Sequence, residues 1–280
     1  MTRHPTPAPL SPAPPRVGRQ PPRLARRGRA ALLAGLLLAA TGLAPSRTWA
    51  QASAPAAGLV STTAVVPLAL LASPLRTEAD RRADAGRKPL DLLRLAQVRP
   101  GMKVLDVAAE GGYTAQLMAL AVGPQGRVWA QNAEPSAALT RRLAEHPQAN
   151  LQPLVRPFDD PWPADAPRLD LVTFVLAYHD VVNTPTDRAR MNRALFDALR
   201  PGGHLIVIDH AAATGHGLRD TKSLHRIEEP VLRAEIEAAG FRLEAEAMSW
   251  RTPDDPHALP FFKMNGAPTD RFALRFVKPR

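Results

Sequence analysis

The 280-residue chain contains no cysteine. It therefore has no thiolate nucleophile, no disulfide and no attachment site for a bacterial lipid anchor. Long apolar segments are also nearly missing. The longest run covers residues 30–44 and has 15 residues, whereas a transmembrane helix needs about 20. No other segment approaches that length, so we expect membrane contact only through this N-terminal run, if it is not removed.

Acidic residues are absent from the first 50 positions, which carry eight arginines and nine prolines. The formal net charge of the whole chain is +10, so the remainder is close to neutral, at +2. A nucleic-acid-binding domain would need a basic face of its own. The high net charge therefore belongs to the leader, and we predict no nucleic-acid partner.

The leader has the pattern of an export signal. Basic residues 23–29 precede the apolar run, and Thr48 and Ala50 place small side chains before a cleavage site at Gln51. We predict residues 1–50 to be a signal peptide, residues 51–75 a linker, and the mature protein periplasmic. The alternative is an uncleaved membrane anchor. Arg26-Arg27 lies in a poor context for a twin-arginine signal, which favours general export.

Helices and strands alternate from residue 76 onward. We predict strands at residues 104–107, 127–131, 151–155, 169–176, 204–209, 241–250 and 271–277. Segment 169–176 is nearly all apolar, as in a strand covered on both faces of a parallel sheet. The last two strands have no helix between them, so we expect them to be antiparallel. The pattern predicts one α/β domain over residues 76–280, a doubly wound, Rossmann-like sheet of seven strands, mostly parallel with an antiparallel last strand.

A glycine-containing turn follows the first strand, in the sequence DVAAEGGYT from Asp106. In doubly wound sheets the ligand lies beyond the carboxyl ends of the strands, beside the first one. Glycines at a helix N-terminus let the backbone approach a ligand closely. Dinucleotide binding would require G-x-G-x-x-G with an acid about 20 residues later. That spacing is missing, so a nicotinamide cofactor is not predicted.

This turn, with RPGMKVL before it, resembles motif I of class I S-adenosylmethionine-dependent methyltransferases, D-x-G-x-G-x-G. RPGG at residues 200–203 resembles the superfamily's turn after a helix, and the helix-free strand pair resembles its reversed last strand. The chain also resembles a narrower group of predicted exported methyltransferases. That likeness is carried by SPLRTEADRRADAGRKP (73–89), YHD (178–180), DH (209–210), LHR (224–226) and DRFALRF (270–276).

The resemblance implies S-adenosylmethionine as the cofactor and a small molecule as the methyl acceptor. The residues it places at the cofactor are Asp106, Ala108, Glu110, Gly111, Gly112, Asn132 and Phe158.

Several of these positions have open alternatives. Ala108 and Glu110 replace the first two glycines of the pattern. We expect Glu110 either to face solvent while Gly111 takes the unusual backbone angle, or to attract the cofactor's cationic groups. Asn132 stands where the superfamily usually has an acid for the ribose hydroxyls. Asp106 either contacts the cofactor or organises turn amides, and Phe158 either covers the adenine ring or belongs to the core.

Histidines follow two neighbouring predicted strands. His179 comes just after the strand at 169–176, and His210 ends the strand at 204–209. The carboxyl ends of these strands meet at the ligand edge, and His216 and His225 lie in the loop that crosses it. We predict His179, oriented by Asp180 or Asp209, as the base that removes the acceptor's proton. The predicted catalytic residues are Tyr178, His179, Asp180, His210, His225 and Arg226, with Arg226 binding an anionic acceptor.

Structural roles compete with these functional ones. His179 and Asp180 can cap a helix or tie loops, and His210 can support a neighbour without touching a ligand. Asp80, Asp84 and Arg87 form either a solvated helix face or an ion-paired lid. Two other functions stay open: a non-catalytic binding module on the same fold, or a metal-dependent hydrolase using His179, Asp209, His210 and His225. No tight metal-ligand spacing is present, and we predict no metal.

Overall fold

The computed structural model describes residues 68–280. The predicted signal peptide and most of the predicted linker lie outside the described residues. The helices are α1 (Glu78–Arg87), α2 (Pro89–Ala96), α3 (Tyr113–Val122), α4 (Ala137–Glu145), α5 (Tyr178–Val181), α6 (Arg188–Ala198) and α7 (Glu229–Ala238). The strands are β1 (Lys103–Val107), β2 (Arg127–Asn132), β3 (Leu151–Val155), β4 (Leu169–Val175), β5 (Leu199–His210), β6 (Arg242–Glu246) and β7 (Arg271–Val277).

The seven strands form one sheet in the order β3-β2-β1-β4-β5-β7-β6. Strands β1 to β5 pair in parallel, whereas β7 is antiparallel to both β5 and β6. The predicted fold class is therefore confirmed. The order reverses at β1, which has β2 on one side and β4 on the other, so the switch point that favours ligand binding lies at Asp106 and Val107.

Two apolar layers cover the sheet because its central strands are buried on both faces. Leu105 and Phe174 point into one layer, and Val104 and Ile206 point into the other, all with essentially no exposure. The alternation along each strand follows from the two-residue period of β structure. This packing fixes the strand ends from which the polar site residues emerge.

Helix α1 begins with a capping box. The Thr77 hydroxyl accepts a hydrogen bond from the Asp80 backbone, and the Asp80 carboxylate accepts one from the Thr77 backbone. Pro89 is the first residue of α2, and Gly240 follows α7 with φ of 106°. Within residues 68–280, none of the helices has the length and apolar character that a membrane span requires.

Several element boundaries differ from the sequence prediction, and β5 begins at Leu199 instead of residue 204. Asp180 does not precede a helix but lies inside the short helix α5. Strand β4 stops before Leu176, which has φ of 61° and so cannot continue the extended backbone. Strand β6 ends at Glu246, and a 3-10 turn at Met248–Trp250 replaces the rest of the predicted strand.

Candidate functional site

The turn after β1 keeps a glycine-type backbone without keeping all its glycines. Ala108, Glu110 and Gly112 have φ of 52°, 47° and 83°, all in the left-handed region. A residue with a Cβ atom loses roughly 1–2 kcal/mol in that conformation. Gly111 is not among the residues with positive φ, so the alternative in which it takes the unusual angle in place of Glu110 is wrong. Glu110 takes that angle itself, with its side chain exposed.

Side chains from the end of β2 hold this turn in place. The Asn132 side chain accepts a hydrogen bond from the Glu110 backbone N–H at 2.8 Å and donates one to its carbonyl at 3.3 Å. Gln131 accepts from the Ala108 backbone N–H at 3.2 Å. Asn132 therefore supports the strained turn directly, which the sequence did not predict.

Asp106 is buried at the carboxyl end of β1, with 2% of its surface exposed. Its Oδ1 accepts a hydrogen bond from the Thr173 hydroxyl at 2.6 Å, and its Oδ2 has no partner among residues 68–280. Burial raises the pKa of Asp106 to about 7, although Thr173 and then Arg87 act in the opposite direction. A buried carboxylate oxygen without a partner is suited to a cationic or hydrogen-donating ligand.

A small cavity of about 210 Å³ opens at this turn, and we call it the turn cavity. Its lining includes Asp106, Ala108, Glu110, Gly111, Arg87, Tyr113, Thr114, Arg142 and Leu176.

Helix α1 is tied to the turn cavity by ion pairs. Arg142 of α4 binds the buried Asp80 at 2.7 Å and donates to the Gly111 carbonyl at 2.6 Å. Asp84 accepts hydrogen bonds from Arg76 at 2.8 Å and from the Tyr113 hydroxyl at 2.7 Å. The ion-paired alternative is thus the correct one for Asp80 and Asp84.

Phe158 is half-buried and packs against the hydrophobic core. It is not among the residues that line the turn cavity. These contacts favour the core alternative over the adenine-covering one.

Three histidines, His179, His210 and His225, converge at the neighbouring strand ends, and together with Asp180 we call them the histidine cluster. The ring centroid of His179 lies 6.0 Å from that of His210 and 5.4 Å from that of His225. The parallel pairing of β4 and β5 brings His179 and His210 together, as predicted, and His225 reaches them from the loop after β5. His216 does not join them, because its Nδ1 pairs with Asp220 at 2.6 Å.

His179 is held between two carboxylates. Its Nδ1 lies 2.6 Å from Asp209 Oδ1, and its backbone N–H donates to Asp209 Oδ2 at 2.9 Å. Its Nε2 lies 3.3 Å from Asp180 Oδ1, which is also 3.1 Å from His225 Nδ1. Burial opposes a charged ring, but Asp209 and Asp180 outweigh it and raise the pKa of His179 to about 10.

Two other groups of the histidine cluster, Asp180 and His210, have pKa values below their ordinary values. Burial alone would raise the pKa of the Asp180 carboxyl, but the His179 and His225 rings lower it. Burial, and after it the charge of Arg271, holds the pKa of His210 far below its ordinary value. His210 is thus a neutral ring, with its Nδ1 at 2.8 Å from the Thr269 hydroxyl and its face stacked on Phe261 at 5.1 Å.

A second cavity of about 270 Å³ lies over this cluster, and we call it the histidine cavity. It shares Arg87, Glu110 and Leu176 with the turn cavity, so the two are adjacent. The remaining lining residues include His179, Asp180, His210, Phe261 and Arg271.

Two predicted catalytic residues have other roles in the structure. Tyr178 is fully buried, and its hydroxyl donates to Glu235 at 2.7 Å and accepts from Asn192 at 2.8 Å. Arg226 is also buried and forms an ion pair with Asp255 at 2.8 Å. Neither lines the turn cavity or the histidine cavity. Both assignments are corrected, because these groups make their hydrogen bonds inside the protein.

Arg271 was missed by sequence reasoning although it lines the histidine cavity. It opens β7 and pairs with His210 across the antiparallel ladder. It donates to the Gly86 carbonyl and the Thr269 hydroxyl, and no carboxylate of residues 68–280 forms a salt bridge with it. Burial, and then Arg87, lowers its pKa to about 10. The signal was the basic residue at the start of the reversed strand, which begins where β5 ends.

No known family model matches the chain. Over 114 residues it is 31% identical to the ubiquinone/menaquinone biosynthesis C-methyltransferase UbiE of Bordetella avium, covering 41% of this chain and 43% of that protein. The corresponding protein of Burkholderia vietnamiensis is 29% identical over 114 residues, with 41% and 45% covered. The aligned region thus spans less than half of each of these relatives.

Solved structures match a larger part of the chain. A SAM-dependent methyltransferase from Aquifex aeolicus superposes with a TM-score of 0.54 at 16% identity, over 71% of this chain and 95% of that one. YcgJ from Bacillus subtilis gives a TM-score of 0.52 at 16% identity, over 69% and 99%. At these identities the likeness concerns the fold, and the chain has the Rossmann-like fold of S-adenosylmethionine-dependent methyltransferases.

Proposed function

We propose that the protein is an S-adenosylmethionine-dependent methyltransferase that acts on a small molecule. The observation that carries this proposal is the backbone of the turn after β1. Left-handed angles recur at residues 108, 110 and 112, the three glycine positions of the methyltransferase pattern. Two of those residues have side chains that disfavour the angle, and structure elsewhere must maintain it. The side chains of Ala108 and Glu110 do not require these backbone angles. A ligand-binding role of the turn's backbone would account for the strain.

The turn cavity supplies groups suited to the donor's methionine part. The unpartnered Oδ2 of Asp106 and the exposed carboxylate of Glu110 can attract an ammonium or sulfonium group. Arg87 also lines this cavity, so it can receive the donor's carboxylate. Opposite charges at fixed places orient a zwitterionic ligand. The partial likeness to C-methyltransferases supports the same donor.

The histidine cavity is the proposed acceptor site, because it adjoins the turn cavity. His210 and Phe261 provide flat ring surfaces, and Arg271 and Arg87 provide positive charge. An acceptor with an anionic group and a planar portion would match this lining. Arg271 takes over the anion-binding role that the sequence assigned to Arg226.

Methyl transfer is a displacement in line with the breaking bond. An electron pair on the acceptor atom forms the bond to the methyl carbon, and the pair of the carbon–sulfur bond returns to sulfur. The sulfonium thereby becomes a neutral thioether, and an acceptor hydroxyl must lose its proton. Positioning does most of the catalysis in such a step. His179, with a pKa of about 10, is mostly protonated at neutral pH, which limits it as an unaided base.

Calorimetric titration of the full chain with S-adenosylmethionine tests the proposal. We expect wild-type protein and Glu110→Gly to bind the donor, because the variant keeps the backbone angle without strain. Glu134→Gly is the matched control, since it removes one exposed acidic side chain just beyond β2. Wild-type protein that does not bind, while Glu110→Gly does, would instead indicate a module that has lost its donor. Absence of binding in both would reject the proposal as well.

Export to the periplasm is a separate proposal that rests on the leader sequence alone. N-terminal sequencing of the protein from its native host should show Gln51 as the first residue.

A further inference from the structure

The histidine cluster contains a set of atoms with the arrangement of a metal site. One ring nitrogen each from His179 and His225 and one carboxylate oxygen of Asp180 all lie within 4.8 Å of one another. Two imidazoles and one carboxylate form a common ligand set for divalent transition metals. We propose that His179, Asp180 and His225 bind such an ion, with Zn²⁺ as the first candidate.

The separations between these atoms fit a shared ion. Asp180 Oδ1 lies 3.3 Å from His179 Nε2 and 3.1 Å from His225 Nδ1. Metal–nitrogen and metal–oxygen bonds of about 2.0–2.1 Å place neighbouring ligand atoms roughly 3.0 Å apart in an octahedron and roughly 3.4 Å apart in a tetrahedron. Both distances fall in that interval, and one nitrogen of His179 lies within 4.8 Å of one of His225, so small side-chain adjustments suffice for one ion to bind all three residues. Zn²⁺ leads because its filled d shell imposes no geometry of its own.

His179 is prepared as a ligand by its surroundings. The residue is 1% exposed, and its Nε2 has no hydrogen-bond partner among the described residues. The contact of Nε2 with Asp180 does not meet the geometry of a hydrogen bond. On the other side of the ring, Nδ1 is fixed by Asp209 at 2.6 Å. A carboxylate on the far nitrogen orients a metal-binding imidazole and makes it more basic. The ion would replace the proton on Nε2, because a coordinating imidazole is neutral. Asp209 therefore acts as a positioning residue behind the site.

The three ligands leave coordination positions free for another molecule. His179 and Asp180 line the histidine cavity, so an ion between them faces the proposed acceptor. A bound divalent ion lowers the pKa of a coordinated hydroxyl. The acceptor's proton would then leave to solvent without a histidine base. This part of the inference rests on the proposed methyl transfer, whereas the ion site itself does not.

Equilibrium dialysis of the full chain against Zn²⁺, followed by elemental analysis, measures the site directly. The protein is first treated with a chelator to remove any bound ion. Any Zn²⁺ that residues 1–50 bind is the same in all variants, so it does not affect the comparison. We expect about one ion per chain, and at least a tenfold weaker affinity in His225→Ala and Asp180→Asn. His216→Ala is the matched control, because it removes a histidine that pairs with a carboxylate outside the cluster.

The outcomes separate the ion site from the methyltransferase proposal. Equal Zn²⁺ binding by wild type, His225→Ala and Asp180→Asn would place any ion elsewhere and reject the inference, as would no binding at all. Circular dichroism verifies that each variant is folded. If His225→Ala does not fold, His225→Gln, a smaller change in side-chain volume, is measured instead. S-adenosylmethionine titration of the chelator-treated protein tests the donor site alone. Donor binding without metal binding would leave the proposed function intact.

Discussion

Replacing Asp106 with asparagine should make the protein more stable at alkaline pH but not at acidic pH. In the native protein the carboxyl is buried and has a pKa of about 7, against an ordinary value of 3.8. The folded state therefore holds this proton more tightly than the unfolded chain does. Its contribution to stability is complete below about pH 3.8 and is lost as the pH rises through 7.

The size of the effect follows from the difference between the pKa values of Asp106 in the folded and the unfolded protein. Each pH unit between them is worth about 1.4 kcal/mol, so the ionised carboxylate costs on the order of 4 kcal/mol at pH 8. The asparagine side chain has nearly the same shape and no charge, and it avoids this cost. Thr173, Arg87 and Glu110 face the carboxyl and already contribute to the value.

Urea denaturation from pH 5 to pH 8 measures the difference between variant and wild type. We expect that difference to grow in favour of Asp106→Asn from pH 5 to about pH 7 and then to level off. The exposed Asp165→Asn controls for the loss of one negative charge. A difference that stays the same at pH 5 and pH 8 would refute the reasoning, because it would mean that Asp106 is ionised at little cost.

Two further variants test the roles of Gly112 and Arg226. Gly112→Ala should lose about 2 kcal/mol of unfolding free energy in urea denaturation and should lose donor affinity in calorimetry. The reason is that φ is 83° and a Cβ atom would lie 2.7 Å from Leu139 Cδ1. Gly111→Ala, with its closest contact at 3.4 Å, should keep the wild-type stability in the same urea measurement. Arg226→Met should lose roughly 3–5 kcal/mol in urea denaturation, because Asp255 is left buried without its ion pair, and an unchanged stability would show that the pair is not structural.

The sequence was sufficient for the sheet because alternating helices and strands allow few connections. It also brought His179, His210 and His225 together, since β4 and β5 are parallel and end at one edge. The sequence did not show that His179 lines the cavity whereas Tyr178 is buried in the core. The reason is that the short helix α5 directs these adjacent side chains to different sides. Nor could the sequence show the partner of Arg226, since Asp255 lies in a loop without periodic pattern.

The turn after β1 shows a different limit. Local preference favours Gly111 over Glu110 for the left-handed angle, yet Glu110 adopts it. The cause is contact with a distant segment: both backbone groups of Glu110 bond to the Asn132 side chain. A single sequence gives the preference of each residue but not the tertiary contacts that override it.

Arg142 links two parts of the molecule that are far apart in the chain. The same guanidinium binds Asp80 of α1 and the carbonyl of Gly111, so detachment of α1 would remove the carboxylate that holds Arg142 against the turn. We therefore expect the amides of α1 and of the turn to become exposed together, as one cooperative unit, in hydrogen-exchange measurements. A ligand that orders the turn would then slow proteolysis at the amino-terminal side of α1, outside the cavity that it occupies.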